Sequence, residues 1–245
     1  PFFSKDGSTW VESSSNLSQG HFTDVGYGNK KFVLVHNQSG SFIYYSTDAR
    51  TWTAANLTVQ GGAACNNLNS VVYGNSIWVA VGEDEHAWSS DGINWTCIDV
   101  GDGVNYYSVA YGNSKFYAVS SGGVSGNKVK YSTDGENWTT TNASNLAMSS
   151  NPKGRMIFAN NKFVSVGSAS ISYSTDGTTW TSTGHSVSDN SARFMGVAYG
   201  NGKFVAMTGH GYSSSSTDGQ NWTQTSSTKL VSSSGGSGDN DATHG

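Results

Sequence analysis

Residues 131–138 read Tyr-Ser-Thr-Asp-Gly-Glu-Asn-Trp, and the chain carries six copies of this segment. Successive aspartates of the copies are 42 or 43 residues apart. The aspartates are Asp6, Asp48, Asp91, Asp134, Asp176 and Asp218, and each copy closes on a tryptophan, at Trp10, Trp52, Trp95, Trp138, Trp180 and Trp222. A fixed period of roughly 20–50 residues is the signature of a repeat architecture. The repeat therefore decides the fold class.

A second motif lies between the copies and is clearest as Tyr199-Gly-Asn-Gly-Lys-Phe204. Its Asn-Gly pair suits the positive φ angles of a tight β-hairpin turn. The run after the turn, such as residues 203–207, is apolar after its first residue, as in a strand buried on both faces. A third strand then leads through Asp-Gly into a fourth, which begins at the tryptophan. The pattern predicts four short antiparallel strands in each unit, and therefore an all-β protein.

Repeated four-stranded units of this length predict a β-propeller whose blades bury their aromatic rows against each other. The chain holds five full repeats and an N-terminal half repeat, so we expect five or six blades over residues 1–229 and a Ser/Gly-rich flexible tail or linker over 230–245. Three closures stay open. The ring has a two-stranded sixth blade, it has five blades with the first hairpin packed elsewhere, or another copy or a flanking segment supplies the missing strands.

The repeated Ser-x-Asp-Gly-x-x-Trp resembles the Asp-box of sialidase-type propellers and of related non-enzymatic propellers. These copies are a shortened form, and the second replaces Gly with Ala49. The resemblance implies a structural role for the six aspartates and tryptophans, in turns away from the ligand face. The combination of Tyr-Gly-Asn and Asp-Gly-x-x-Trp motifs also resembles, more loosely, repeats of phage tail and bacterial surface proteins.

Composition excludes several classes of function. A net charge of −4 gives no basic footprint for nucleic acid, and no apolar run reaches the ~20 residues of a membrane-spanning helix. Two cysteines are too few for a disulfide scaffold; Cys65 and Cys97 are either bonded or a pair of buried thiols. No phosphate loop, zinc-protease motif or EF-hand loop is present, so we expect no cofactor and no metal site.

Catalysis of the sialidase type is disfavoured by the arginines. The family needs three arginines converging on a carboxylate, and this chain has only Arg50, Arg155 and Arg193. Arg50 lies inside one of the Asp turns, at the end opposite the expected ligand face. A generic glycosidase needs two carboxylates about 5–10 Å apart across the sugar, and few acidic residues lie outside the turns. The sequence therefore predicts a protein that is not an enzyme.

Ligand binding in a propeller normally uses the loops that vary between blades. Here these loops lie opposite the Asp turns, and positions three residues before each Tyr-Gly-Asn aromatic are expected near the central axis. The candidate ligand-binding residues are polar or aromatic: His21, Asp24, Asn67, Glu83, His86, Asn105, Tyr107, Arg155, Arg193 and His210. Such side chains suit sugar hydroxyl groups or another small polar ligand.

Three functions follow from these residues. The first is a non-enzymatic extracellular recognition module for glycans or a cell-surface receptor, in a lectin-like or adhesion role. The second is a structural subunit of a virion appendage or extracellular filament, and the third is a sialidase-like glycosidase. Self-association through the incomplete N-terminal blade is a further prediction. Low charge and seven Asn-x-Ser/Thr sequons favour an extracellular, cell-surface or virion location.

Overall fold

The computed structural model describes residues 2–13, 17, 21–37, 43–61, 65, 67–121, 127–148, 155–167, 170–188 and 193–225. Every regular element in these ranges is a β-strand, and none of the described residues form a helix that could cross a membrane. The all-β β-propeller prediction is confirmed. The predicted boundary at 229/230 and the tail over 230–245 lie outside the described residues.

Five blades are described, and each contains four antiparallel strands that lie in chain order across the sheet. Blade 1 comprises β3 (Phe22–Gly28), β4 (Lys31–His36), β5 (Tyr44–Ser46) and β6 (Thr53–Ala54), and blade 2 comprises β8 (Leu68–Gly74), β9 (Ile77–Gly82), β10 (Glu85–Ser89) and β11 (Asn94–Asp99). Blade 3 comprises β12 (Tyr106–Gly112), β13 (Lys115–Ser120), β14 (Lys128–Ser132) and β15 (Thr139–Asn142). Blade 4 comprises β16 (Arg155–Ala159), β17 (Lys162–Gly167), β18 (Ser170–Ser174) and β19 (Thr181–Ser182), and blade 5 comprises β20 (Phe194–Gly200), β21 (Lys203–Thr208), β22 (Ser213–Ser216) and β23 (Thr223–Gln224).

Two elements depart from the simple repeat. The hairpin of β1 (Phe2–Ser4) and β2 (Trp10–Glu12) forms a separate two-stranded sheet. It contacts blade 1, where the Arg50 guanidinium lies 4.8 Å from the centroid of the Phe3 ring. The connection from blade 1 to blade 2 forms β7 (Asn56–Gln60), which pairs in parallel with β11. Blade 2 therefore has five strands, one more than the repeat predicts.

The turns follow the chemistry of the repeat. In the first hairpin of blade 3, Asn113 and Ser114 have φ angles of 49° and 61°, as a type I′ turn requires. In the Asp turn of the same blade, Asp134 Oδ1 accepts hydrogen bonds from the backbone N–H groups of Glu136 and Asn137 and from the Ser132 hydroxyl. The other five Asp turns repeat this pattern of one serine hydroxyl and two backbone N–H donors.

These hydrogen bonds favour the ionised form of the turn aspartates. Hydrogen bonds from the side chain and backbone of Asn137 lower the pKa of Asp134 to about 2, against the opposing effect of burial. The pKa of Asp218 is also held well below its usual value, first by the backbone N–H of Asn221. Each turn is therefore a fixed anion at the end of the propeller that carries the Asp turns.

The core lies between blades, where aromatic side chains of one blade pack on small residues of the preceding one. A Cβ atom built on Gly28 would overlap the Tyr73 ring, and the same holds for Gly74 with Tyr111 and for Gly112 with Phe158. The first strands also pack in sequence, β3 on β8, β8 on β12, β12 on β16 and β16 on β20. Among the described residues no comparable packing joins β20 back to β3.

Candidate functional site

The first strands converge on the axis at five equivalent positions. In blades 1, 2, 3 and 5 the pairing between the first two strands shifts by one residue at the end opposite the Asp turns. The residues that follow the shift, and their counterpart on β16, are Asp24, Ser70, Ser108, Gly196 and Arg155. All five line one axial cavity of about 390 Å³. The predicted axial placement of Asp24 and Arg155 thus agrees with the structure.

A relay of hydrogen bonds links these positions between neighbouring blades. The Asp24 carboxylate accepts hydrogen bonds from the Ser70 hydroxyl at 2.7 Å and from the Val71 N–H at 3.1 Å. The Ser70 hydroxyl oxygen in turn accepts from the Val109 N–H at 3.2 Å. At the next junction the Ser108 hydroxyl oxygen accepts from the backbone N–H of blade 4 at 3.0 Å. A polar side chain on one blade therefore satisfies a backbone donor of the next.

Arg155 departs from this relay and reaches across the axis. Its guanidinium donates to the carbonyl oxygen of Thr23 at 2.6 Å, of Tyr107 at 3.3 Å and of Asn69 at 3.4 Å. These acceptors belong to the first strands of blades 1, 3 and 2. One side chain from blade 4 therefore connects three other blades through neutral backbone oxygens, and these bonds occupy three of the five N–H groups of the guanidinium.

Arg155 also lines two cavities. Besides the 390 Å³ axial cavity, it lines a cavity of about 360 Å³ shared with His21, Phe22, Thr23 and Asn37. Within the described residues, Arg155 forms no ion pair with a carboxylate, since the one salt bridge found there joins Lys130 to Asp102. The 360 Å³ cavity, which we call the Arg155 pocket, thus contains a cation held by neutral groups.

Several predicted residues lie in a neighbouring polar network. The Asn69 side-chain amide donates to the Asn105 side chain at 2.6 Å and accepts from the Asn37 amide at 2.8 Å. The Asn67 side chain donates to the Glu83 carboxylate at 3.4 Å, and Glu83 forms an isolated β-bridge with Asn105. This network connects blades 1, 2 and 3 next to the axis, so Asn67, Glu83 and Asn105 are held as much by each other as by any ligand.

His86 lies elsewhere, in the buried interface between blades 2 and 3. Its ring stacks on Trp138 with centroids 5.0 Å apart, and neither ring nitrogen has a hydrogen-bond partner among the described residues. Burial first, and then the positive charge of Lys130, lower the pKa of His86 to about 3 against the opposing charge of Asp102. The imidazole is therefore neutral and enclosed, and it lines neither axial cavity.

The remaining predicted residues are spread more widely. Tyr107 supplies the axis with its carbonyl oxygen, while its side chain is buried in the core of blades 3 and 4. Arg193 and His210 are exposed and line neither axial cavity. Sequence reasoning missed Thr23 and Asn69, which precede Asp24 and Ser70. Each is the extra residue at a shift in the pairing of the first two strands of its blade. Their place at the axis could therefore be found only once the strand pairing was known.

The two axial cavities present one carboxylate, one guanidinium and several hydroxyl groups among the described residues. The described residues contain no cluster of three or more His, Cys, Asp or Glu side chains suited to a metal ion. Asp24 is the single carboxylate among the described residues that line the two axial cavities, and its oxygens accept from Ser70 and from two backbone N–H groups. What the arrangement offers is a cationic group with hydrogen-bonding neighbours, which suits binding.

Comparison with known proteins shows the fold. No protein-family model matches the chain, and no curated protein matches it either. Among solved structures it is similar to YCF48 bound to D1 peptide, with 18% identity over 89% of this chain and 71% of that one at a TM-score of 0.59. It is also similar to virginiamycin B lyase from Staphylococcus aureus, with 10% identity over 85% and 70% and a TM-score of 0.66.

A third similar structure is the nidogen/laminin complex, with 11% identity over 79% of this chain and 74% of that one at a TM-score of 0.58. These structures include an enzyme and proteins solved with a peptide or a protein partner. Identities this low carry the fold and not the function. The chain is a β-propeller built from sequence repeats, and the fold alone leaves both binding and catalysis open.

Proposed function

We propose that the protein is a non-enzymatic recognition module that binds an acidic saccharide of a surface glycan in the Arg155 pocket. One observation carries the proposal, namely that the Arg155 guanidinium reaches the axis with backbone carbonyls as its only partners among the described residues. A guanidinium pairs most strongly with a planar anion, because two parallel N–H bonds match a carboxylate. Two of its N–H groups are left for such a ligand.

The surroundings of Arg155 favour a sugar acid. His21, Thr23 and Asn37 offer hydrogen-bonding groups, and Phe22 adds an aromatic surface at the same pocket. Sugar rings present hydroxyl groups at their edges and C–H groups on their faces, so a small set of polar groups beside one aromatic ring suits them. A volume of about 360 Å³ is within the range of small-ligand sites.

The six turns support an assignment to the Asp-box class as part of the same proposal. In each turn the aspartate orders two backbone N–H groups and the preceding serine hydroxyl, far from the Arg155 pocket. A disulfide between Cys65 and Cys97 fits the proposed extracellular, cell-surface or virion location, since disulfides persist mainly in oxidising compartments.

Binding to an array of neutral and acidic glycans would test the proposal. We expect retention of carboxylated saccharides and a loss of affinity as salt is raised, because screening weakens an exposed ion pair. His21→Asp would place a negative charge at the exposed edge of the pocket without touching the bonds of Arg155, and we expect it to weaken binding at least tenfold. Retention of neutral glycans only, or of no glycan, would contradict the proposal.

A matched control adds the same charge at the opposite end. Thr178→Glu copies the residue that blade 3 carries at the equivalent position, Glu136, and should leave binding unchanged. If His21→Asp and Thr178→Glu weaken binding equally, the effect is one of net charge and not of the pocket. Tighter binding of peptide carboxylates than of acidic saccharides would indicate a protein ligand. Release of product from an acidic glycoside would show that the protein is a glycosidase.

A further inference from the structure

Blade 5 carries an apolar face that the other blades bury. Val205 is 40% exposed and Met207 is 44% exposed, both on β21. The equivalents of Val205 in blades 1 to 4 are Val33, Val79, Tyr117 and Val164, and those of Met207 are Val35, Val81, Val119 and Val166; all eight are at most 4% exposed. Val205 and Met207 therefore occupy positions that are buried in every other blade, but in blade 5 no neighbouring blade covers them.

The missing neighbour can be identified from the intact junctions. In these, the Asp turn of the next blade covers the second strand: a Cβ atom on Gly135 would approach Val79, one on Gly177 would overlap Tyr117, and Gly219 lies beside Val164. The aromatic of the next first strand lies on the glycine that ends the preceding first strand, as Tyr73 does on Gly28. At the end of β20, a Cβ atom built on Gly200 would meet no other atom within 4 Å.

The opposite side of the gap shows the same deficit. On β3, Tyr27 is 64% exposed and Val25 is 54% exposed, although Tyr27 belongs to the row whose members in blades 2 and 3 pack on a glycine. The hairpin β1–β2 carries the third and fourth strands of a repeat and packs on blade 1 through Phe3 and Arg50. Its β1 strand pairs only with β2 among the described strands, so its other edge is free for a further strand.

We propose that this gap binds a two-stranded β-hairpin that lies outside residues 1–245 and carries the aromatic-Gly-Asn-x-x-Phe pattern. The hairpin would supply the first and second strands of a sixth blade whose third and fourth strands are β1 and β2. Its second strand pairs with the free edge of β1 in the manner of β-strand addition, its aromatic lies on Gly200, and its flanks cover Met207 on one side and Tyr27 on the other.

Two other occupants fit less well. Residues 226–245 contain no aromatic residue and only Leu230 and Val231 as large aliphatic residues, so they lack the side chains that every intact junction uses. A second copy of the chain has its inner hairpins engaged in its own five blades. It could donate one only by dismantling a blade. A hairpin of this class from outside residues 1–245 meets both requirements.

The test uses a labelled synthetic peptide of residues 104–121, which contains the β12–β13 hairpin of blade 3, and the full chain. We expect saturable 1:1 binding in fluorescence anisotropy and slower hydrogen exchange in β1. A peptide with Tyr111→Ser and Phe116→Ser should bind at least tenfold more weakly. Because an isolated hairpin is only marginally stable, the same segment fused after residue 225 provides a second arm, in which a raised thermal midpoint reports docking.

Two substitutions on the same strand locate the site. Gly200→Val fills the position on which the incoming aromatic lies while meeting no atom of the free protein, so it should leave the unfolding midpoint unchanged and reduce peptide binding at least tenfold. Gly196→Ser introduces the residue that blades 2 and 3 carry at the equivalent position, where the hydroxyl accepts a backbone N–H of the next blade, so it should not weaken binding. Absence of docking in both arms, or binding insensitive to Gly200→Val, would overturn the proposal. Dimers that exclude the peptide would show that a second copy fills the gap.

Discussion

Replacing His86 with phenylalanine should make the stability of the protein less sensitive to acid. In the folded chain the imidazole is buried against Trp138 with two unpartnered nitrogens, and its pKa is about 3, against 6.5 for an unperturbed histidine. Between pH 6.5 and about 3, His86 therefore binds a proton in the unfolded chain and not in the folded chain. Because protonation favours the unfolded state, the contribution of neutral His86 to the free energy of unfolding is fully present above pH 6.5 and is lost as the pH falls toward 3.

The size of the effect follows from the two pKa values. Each pH unit between them changes the free energy of unfolding by about 1.4 kcal/mol. Lowering the pH from 7 to 5 crosses about 1.5 of these units. Protonation of His86 in the unfolded state should therefore lower the free energy of unfolding of the wild type by about 2 kcal/mol. The turn aspartates do not contribute over this interval, because their lowered pKa values place their loss of stability below about pH 4.

Urea unfolding of wild type and His86→Phe at pH 7 and pH 5 measures the difference. Phenylalanine keeps a ring on Trp138 and removes two buried polar atoms, so the variant should unfold cooperatively at both pH values. We expect the wild type to lose about 2 kcal/mol more than the variant between pH 7 and 5. His21→Phe removes an exposed histidine as a control and should behave as wild type. Parallel losses in wild type and His86→Phe would refute the reasoning.

Three further predictions concern the blades. Reducing the Cys65–Cys97 disulfide, which closes a separation of 32 residues, should lower the free energy of unfolding by about 3–4 kcal/mol, measured by urea unfolding with and without reductant; an unchanged midpoint would contradict a bonded pair. Asp134→Ala removes the acceptor of two backbone N–H groups and should cost about 1–2 kcal/mol by the same assay, whereas a neutral result would make the turn bonds dispensable. Gly177→Ala, at φ 80° against the Tyr117 ring, should lower the thermal midpoint by several degrees, about 1–3 kcal/mol; a variant as stable as wild type would show that the junction yields.

The repeat made the blades predictable because the residues that shape them act locally. Asn113 and Ser114 adopt the turn that a Gly-Asn hairpin implies, and Asp134 organises its turn through groups within three residues. The axial position of Arg155 was also predictable, since counting back from Phe158 places it at the start of an inner strand. These features depend on short-range geometry repeated five or six times.

Other features depend on contacts between distant segments and were not predictable. That the Arg155 guanidinium would bind carbonyls of three other blades follows from the width of the axis, which no local pattern encodes. His86 was predicted in a ligand-binding loop, whereas it lies in the closed interface of blades 2 and 3. The parallel strand β7 was missed because the connection it occupies carries no repeat motif.

Strand β7 also bears on how the protein behaves at high concentration. The fourth strands of blades 1, 4 and 5 are two residues long, which is too short to template pairing with another chain. The fourth strand of blade 2, β11, has six residues and would present a long open edge. Strand β7 pairs with it from Asn56 to Gln60 and becomes the outermost strand of that sheet. The open edge of blade 2 is therefore the five residues of β7, the longest outer edge among the described blades, and edge-to-edge association at high concentration is expected there.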